Sequence, residues 1–115
     1  MPSDLRFSEL SLQRQALVRL CQSINYGHIE DLTVVEREPV MGGAAPTGVV
    51  DVRLDADEQP RGELGMTDFT LCAEVCRLML LLDRVETGGI SKIEVRAGIP
   101  RRVLLRNGLQ AREVE

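Results

Sequence analysis

The chain has no tryptophan, one tyrosine (Tyr26) and two phenylalanines (Phe7 and Phe69). Its core must therefore be aliphatic, and surfaces that read single strands by stacking bases on exposed rings are disfavoured. Lysine is nearly absent: Lys92 stands against thirteen arginines, which we read as the codon bias of a GC-rich genome. Histidine occurs once, as His28. Three cysteines (Cys21, Cys72 and Cys76), an odd number with no secretory signal, point to reduced thiols in the cytoplasm. Long apolar runs are missing too. The longest, Leu78–Leu82, is far shorter than a bilayer span requires. The N-terminus carries Asp4, Arg6 and Glu9 with no apolar stretch between them, so no leader is expected. A net charge of −4 disfavours non-specific binding to nucleic acid or an anionic membrane. These absences predict a soluble cytoplasmic protein of one domain, residues 1–115.

What the chain does have is a repeat. At an offset of 61, residues 10–40 align with 71–101 without a gap. Leu10, Leu17, Leu20, Gly27, Ile29, Val34 and Pro39 recur as Leu71, Leu78, Leu81, Gly88, Ile90, Val95 and Pro100. The identities fall on apolar and turn positions, the ones a shared fold would keep. The expectation is a pair of pseudo-repeats, 8–54 and 67–106, joined by an acidic linker over 55–66. The two halves should superpose after a rotation of about 180°.

Helical and strand periods locate the elements. Leu10, Leu17, Leu20, Cys21 and Ile24 make one amphipathic helix, started by Ser8 and Glu9 and ended near Asn25 with Gly27 as its cap. Residues 29–36 alternate as a strand, Glu36-Arg37-Glu38-Pro39 turns, and Val40-Met41 briefly returns. Glycine, alanine and proline at 42–48 break regular structure, and Val49–Leu54 alternates again. Thr67 and Asp68 can cap a second helix running to about Glu86. Gly88-Gly89 ends it, Ile90–Ala97 alternates, Gly98 turns, and Arg101–Arg106 returns. The predicted fold is α+β, a pseudo-twofold αββ(β)–αββ chain. Two helices pack on one face of a mainly antiparallel sheet of four or five strands.

Residues 24–35, from Ile24-Asn25-Tyr26-Gly27-His28-Ile29 onward, resemble the signature of the YezD-like family of small uncharacterised bacterial proteins. Members are single units of a helix, an aromatic-glycine step, Val or Ile, and a hairpin. The resemblance covers about 30 residues of the first half. The second half has Thr87 in the aromatic place and Gly89 in place of His28, and the 42–48 insertion also departs from the pattern. The resemblance implies a fold and no mechanism.

Candidate chemistry is sparse. Cys72 and Cys76, one helical turn apart, could join Cys21 and His28 as a zinc set, but no CxxC knuckle is present and core thiols are the expectation. His28 has no nucleophile at assignable spacing and reads as an exposed loop residue. Neither Gly42-Gly43 nor Gly88-Gly89 follows a phosphate-loop pattern. No catalytic, cofactor or metal residues are therefore assigned.

Two surfaces stand out instead. Lys92, Arg96, Arg101, Arg102 and Arg106 form a basic strand face, which could contact phosphates, remain solvated, or meet the acidic 51–68 stretch of a neighbouring subunit. The second helix is apolar nearly all round, with Cys72, Cys76, Met79 and Leu80 widening its stripe. It needs a second cover, either another subunit or the 42–66 loops. The functional expectation is a non-enzymatic, homodimeric interaction module whose partner is itself or another protein. A nucleic-acid-binding accessory protein is one alternative, and a small-ligand binder or enzyme is the other.

Overall fold

The computed structural model describes residues 5–42, 46–55 and 65–106. Ser11 begins the first helix: its Oγ accepts the Arg14 N–H at 3.2 Å, and α1 follows as Leu12–Ile24. Leu17, Val18, Cys21 and Ile24 turn inward at helical spacing. The start expected at Ser8 is displaced because the Ser8 N–H donates to Asp68 Oδ1 at 2.9 Å, and Phe7–Glu9 form a 3-10 turn. The second helix, α2, spans Ala73–Val85. Its expected Thr67-Asp68 cap is displaced as well. The Asp68 carboxylate accepts Arg6 Nε at 2.8 Å and the Ser8 and Phe69 amides at 2.9 Å.

Both helices end alike. Asn25 (φ 64°) and Glu86 (φ 61°) close them, each donating its N–H at 3.1 Å to a carbonyl four residues back. Gly27 is therefore not the cap. It lies in a strand at φ 155°, where a Cβ would sit 1.9 Å from the Val49 carbonyl oxygen. Only glycine lets the neighbouring strand come that close.

The strands are β1 (Tyr26–Val35), β2 (Glu38–Pro39), β3 (Thr47–Val50), β4 (Gly88–Arg96) and β5 (Ile99–Leu105), all paired antiparallel. At the centre, β1 and β4 run from Tyr26↔Arg96 to Val34↔Gly88. On one flank lies β5 in a single piece; on the other, β2 and β3 both pair with β1. The fold is thus α+β, two helices with a five-stranded sheet. The strand expected over Val49–Leu54 stops at Val50, leaving Val50, Val52 and Leu54 exposed. Most of the 55–66 linker lies outside the described residues.

Ile29, Leu32 and Val34 are buried in β1, and Ile90, Ile93 and Val95 in β4. Each set steps by three and then by two, so the even alternation expected of Ile90–Ala97 breaks once. Asp31 at φ 61° marks the break in β1, and a register shift between Ile90 and Lys92 marks it in β4. Both hairpin turns have positive φ at their two central residues: Glu36 (50°) and Arg37 (70°), then Ala97 (57°) and Gly98 (74°). Glu36 and Arg37 do not favour that conformation unaided. They are held by Arg37 N–H to the Glu86 carbonyl at 2.6 Å and Glu36 N–H to Thr87 Oγ1 at 3.1 Å. Across the sheet, Gly98 N–H donates to the Asn25 carbonyl at 2.8 Å.

A short clasp completes the core. The Phe7 N–H donates to the Phe69 carbonyl and the Leu71 N–H to the Leu5 carbonyl, both at 2.8 Å. The Phe7 and Phe69 rings stack with centroids 4.9 Å apart, and the Arg19 guanidinium lies 4.4 Å and 5.4 Å from them. Leu5 and Leu10 pack on the core cluster that holds Cys76 and Met79. Among the described residues, the chain's own N-terminal segment therefore supplies cover for the cluster to which these two residues of α2 belong, and part of the 42–66 loops lies outside the described residues. Among the described residues, no helix is long and apolar enough to cross a membrane.

Two outcomes follow from this packing. Gly27→Ala should lower stability by more than about 2 kcal/mol through backbone strain and the clash with Val49. Gly42→Ala, with nothing near its Cβ, should leave the urea midpoint unchanged. The second concerns acid. Arg6, and after it the Ser8 amide, hold the Asp68 carboxyl at about 2, below its ordinary value of 3.8. A folded value below the unfolded one stabilises the native state above the ordinary range, and that stability is lost as pH falls toward 2. Midpoints measured between about pH 5 and pH 2 should fall more steeply for the native sequence than for Asp68→Asn.

Candidate functional site

The face of the sheet away from the helices is built by strand parity. Since Ile29 points into the core, His28 and Glu30 point outward, and their cross-strand partners join them. One row runs Val49, His28, Glu94, Arg102; the next runs Thr47, Glu30, Lys92, Leu104. Charges of opposite sign are neighbours both along and across the strands. His28 Nε2 lies 2.9 Å from Glu30 Oε2 in the same strand. The expectation of an exposed loop histidine is thus corrected: His28 is a partly buried strand residue with a carboxylate partner. Around it the sheet surface is concave over about 520 Å³, with Tyr26, His28, Asp51, Glu94, Arg96 and Arg101 among its lining residues and Lys92 beside them.

The five basic residues of the expected strand face divide. Lys92, Arg96 and Arg101 converge on the concavity. Among the described residues, Lys92 and Arg96 have no carboxylate within 4.0 Å, although Glu94 sits between them in sequence. Arg101 occupies an irregularity of β5, where Val95 pairs with Pro100 and Glu94 with Arg102. Its Nη1 lies 3.0 Å from Glu74 Oε2 on α2. Arg102 faces outward opposite Glu94. Arg106 folds over Gly89 to reach Asp31 Oδ1 at 3.2 Å, a path that a Cβ at position 89 would block at 2.1 Å. The basic residues are therefore interleaved with acids rather than gathered into one positive stripe.

The helix-borne candidates also divide. Cys76 and Met79 are buried, at 6% and 4% exposure, beneath the clasp. Cys72 is half-buried just before α2, and only Leu80, at 50%, faces solvent. Burial pushes the Cys21 thiol up to about 12, and the Cys76 thiol is raised for the same reason. The cysteines belong to the helical layer and His28 points from the opposite face of the sheet, so the four do not converge. Among the described residues, no group of three or more His, Cys, Asp or Glu side chains is placed to hold a metal ion.

Sequence reasoning missed Tyr26 and Glu94 as lining residues, and Glu30 as the partner of His28, although their even spacing with His28 and their sheet register would have found them. It also missed the free outer edge of β5, which no other strand pairs among the described residues. Comparison of the chain with protein-family models, with curated proteins and with solved structures returned no match.

Thiol reactivity tests this placement. With a disulfide reagent under native conditions, Cys72 should react first, with Cys21 and Cys76 following only on unfolding. Loss of the fast phase in Cys72→Ser is the expected check.

Proposed function

We propose that the protein is a non-enzymatic, cytoplasmic interaction module that works as a homodimer joined at the outer edge of β5. The observation that carries this reading is the edge itself. Its seven residues, Ile99–Leu105, form one continuous strand whose outer side is unpaired among the described residues. The opposite flank is divided between β2 and β3, which is how sheets discourage edge pairing. Pro100 protects only the start of β5, and Val103, Leu104 and Leu105 follow at its far end.

The same proposal includes an internal duplication about a pseudo-twofold axis. Supporting it, α1 and α2 begin and end 61 residues apart, as do the positive-φ caps Asn25 and Glu86 and the two hairpin turns. Kinship with the YezD-like family belongs to this reading as well, with one αββ unit doubled.

The interleaved carboxylates Glu30, Asp31, Glu74 and Glu94 weigh against phosphate contacts, and the His28 imidazole is already engaged by Glu30. Light scattering at micromolar concentration should give twice 12.8 kDa. Leu104→Asp should return a folded monomer, and heparin should not retain the native protein. A monomer across that range would overturn the homodimer. A dimer split by Leu80→Asp but not by Leu104→Asp would move the joint to α2.

A further inference from the structure

Resting on the homodimer reading, we infer that the strand added to the β5 edge is residues 50–55 of the second copy, exchanged in both directions across a two-fold axis. That segment, Val50-Asp51-Val52-Arg53-Leu54-Asp55, alternates as a strand should. Yet β3 ends at Val50. The Asp51 N–H donates to the Tyr26 carbonyl at 2.6 Å, and among the described residues no backbone bond to the sheet follows it. Val50, Val52 and Leu54 are left 53%, 66% and 97% exposed on a single chain. From Val52 on, this stretch keeps the pattern of a strand with no strand partner among the described residues, which suits it to completing the edge of another sheet.

Charge selects between the candidate occupants. A β5 edge paired with itself would set Arg101 and Arg102 of the two copies close together, which is unfavourable. Residues 50–55 offer Asp51 and Asp55 instead, with Arg53 already turned onto Asp55 at 3.2 Å. Position agrees with charge. Asp51 is held by Tyr26, Tyr26 pairs with Arg96, and Arg96 pairs with Ile99 at the start of β5. Asp51 and Arg101 also line the same concavity. The free segment and the basic half of the edge thus leave the sheet at the same end, where one two-fold axis can serve both exchanges. The four residues beyond the Asp51 bond span about 13 Å when extended, enough for the half of β5 that carries Arg101 and Arg102.

The test is a charge exchange between two doubly substituted chains. One carries Asp51→Arg with Asp55→Arg, and the other Arg101→Glu with Arg102→Glu. Alone, each places like charges at both contacts and should run as a folded monomer, at least ten-fold weaker in self-association than the native protein. Mixed in equal amounts, they regain opposite charges at both contacts and should form a heterodimer by light scattering. Restoration on mixing separates this from simple misfolding, which mixing would not repair. If both doubly substituted chains stay dimeric while Leu104→Asp is monomeric, the β5 joint stands and residues 50–55 are not its occupant. If both are monomeric and mixing restores nothing, the exchange is likewise overturned. A native protein that is monomeric throughout would remove the homodimer reading itself.

Discussion

One backbone hydrogen bond ties each hairpin turn to the end of the helix that precedes the other hairpin: Gly98 N–H to the Asn25 carbonyl, and Arg37 N–H to the Glu86 carbonyl. Asn25, Glu36, Arg37 and Glu86 all take positive φ without being glycine. Such conformations cost about 1–2 kcal/mol each and persist when surrounding contacts over-determine them. Here the helix ends and the turns supply one another's missing partners. Once they are joined, the direction of each helix over the sheet and the register of β1 on β4 are no longer independent. The inward residues Ile29, Leu32, Val34, Ile90, Ile93 and Val95 are then carried under α1 and α2 as one aliphatic layer.

That arrangement leaves the two sides of the sheet with different chemistry. The inner side is dry, and its thiols behave as small hydrophobes, Cys21 most of all. The outer side is wet and patterned, with acids and bases alternating through His28, Glu94 and Arg102 and through Glu30 and Lys92. Such a surface has little net field at a distance, so it attracts no partner by charge alone and discriminates only at contact. The basic residues lie where the sequence places them along the strands. Their effect is local because Asp31 and Glu74 reach Arg106 and Arg101 from other elements.

Elements whose signal is periodic were legible from the sequence. The helical stripe of Leu17, Cys21 and Ile24, the turns at 36–37 and 97–98, and the α+β class all follow from spacing and turn chemistry. Features set by distant contacts were not. Ser8 and Asp68 are sound helix caps by local rules, but each is drawn off to the other across 60 residues. The all-round apolar character of α2 led to the expectation of a second cover, and Cys76 and Met79 are buried within the single chain. The clasp that brings Phe7 onto Phe69 is encoded by no local pattern. His28 was misplaced because Gly27 looks like a helix cap, whereas its role is to let the Val49 backbone approach. The concave face could have been read from parity once the β1–β4 register was known, and that register is itself non-local.

The clasp has a consequence for how the chain acquires its structure. Its two arms are 62 residues apart at Phe7 and Phe69, and the central ladder joins Tyr26 to Arg96, 70 residues away. The N-terminal arm cannot meet its partner until synthesis has passed Phe69, nor β1 its own until synthesis has reached β4. The entropy of closing such long loops must be overcome before these contacts reward it, which makes for slow folding. During that interval the apolar faces of α1 and β1 have only each other, β2 and β3 to cover them. Emergence from the ribosome is therefore the stage at which this chain is most exposed to aggregation, and the C-terminal half acts as the covering that ends it.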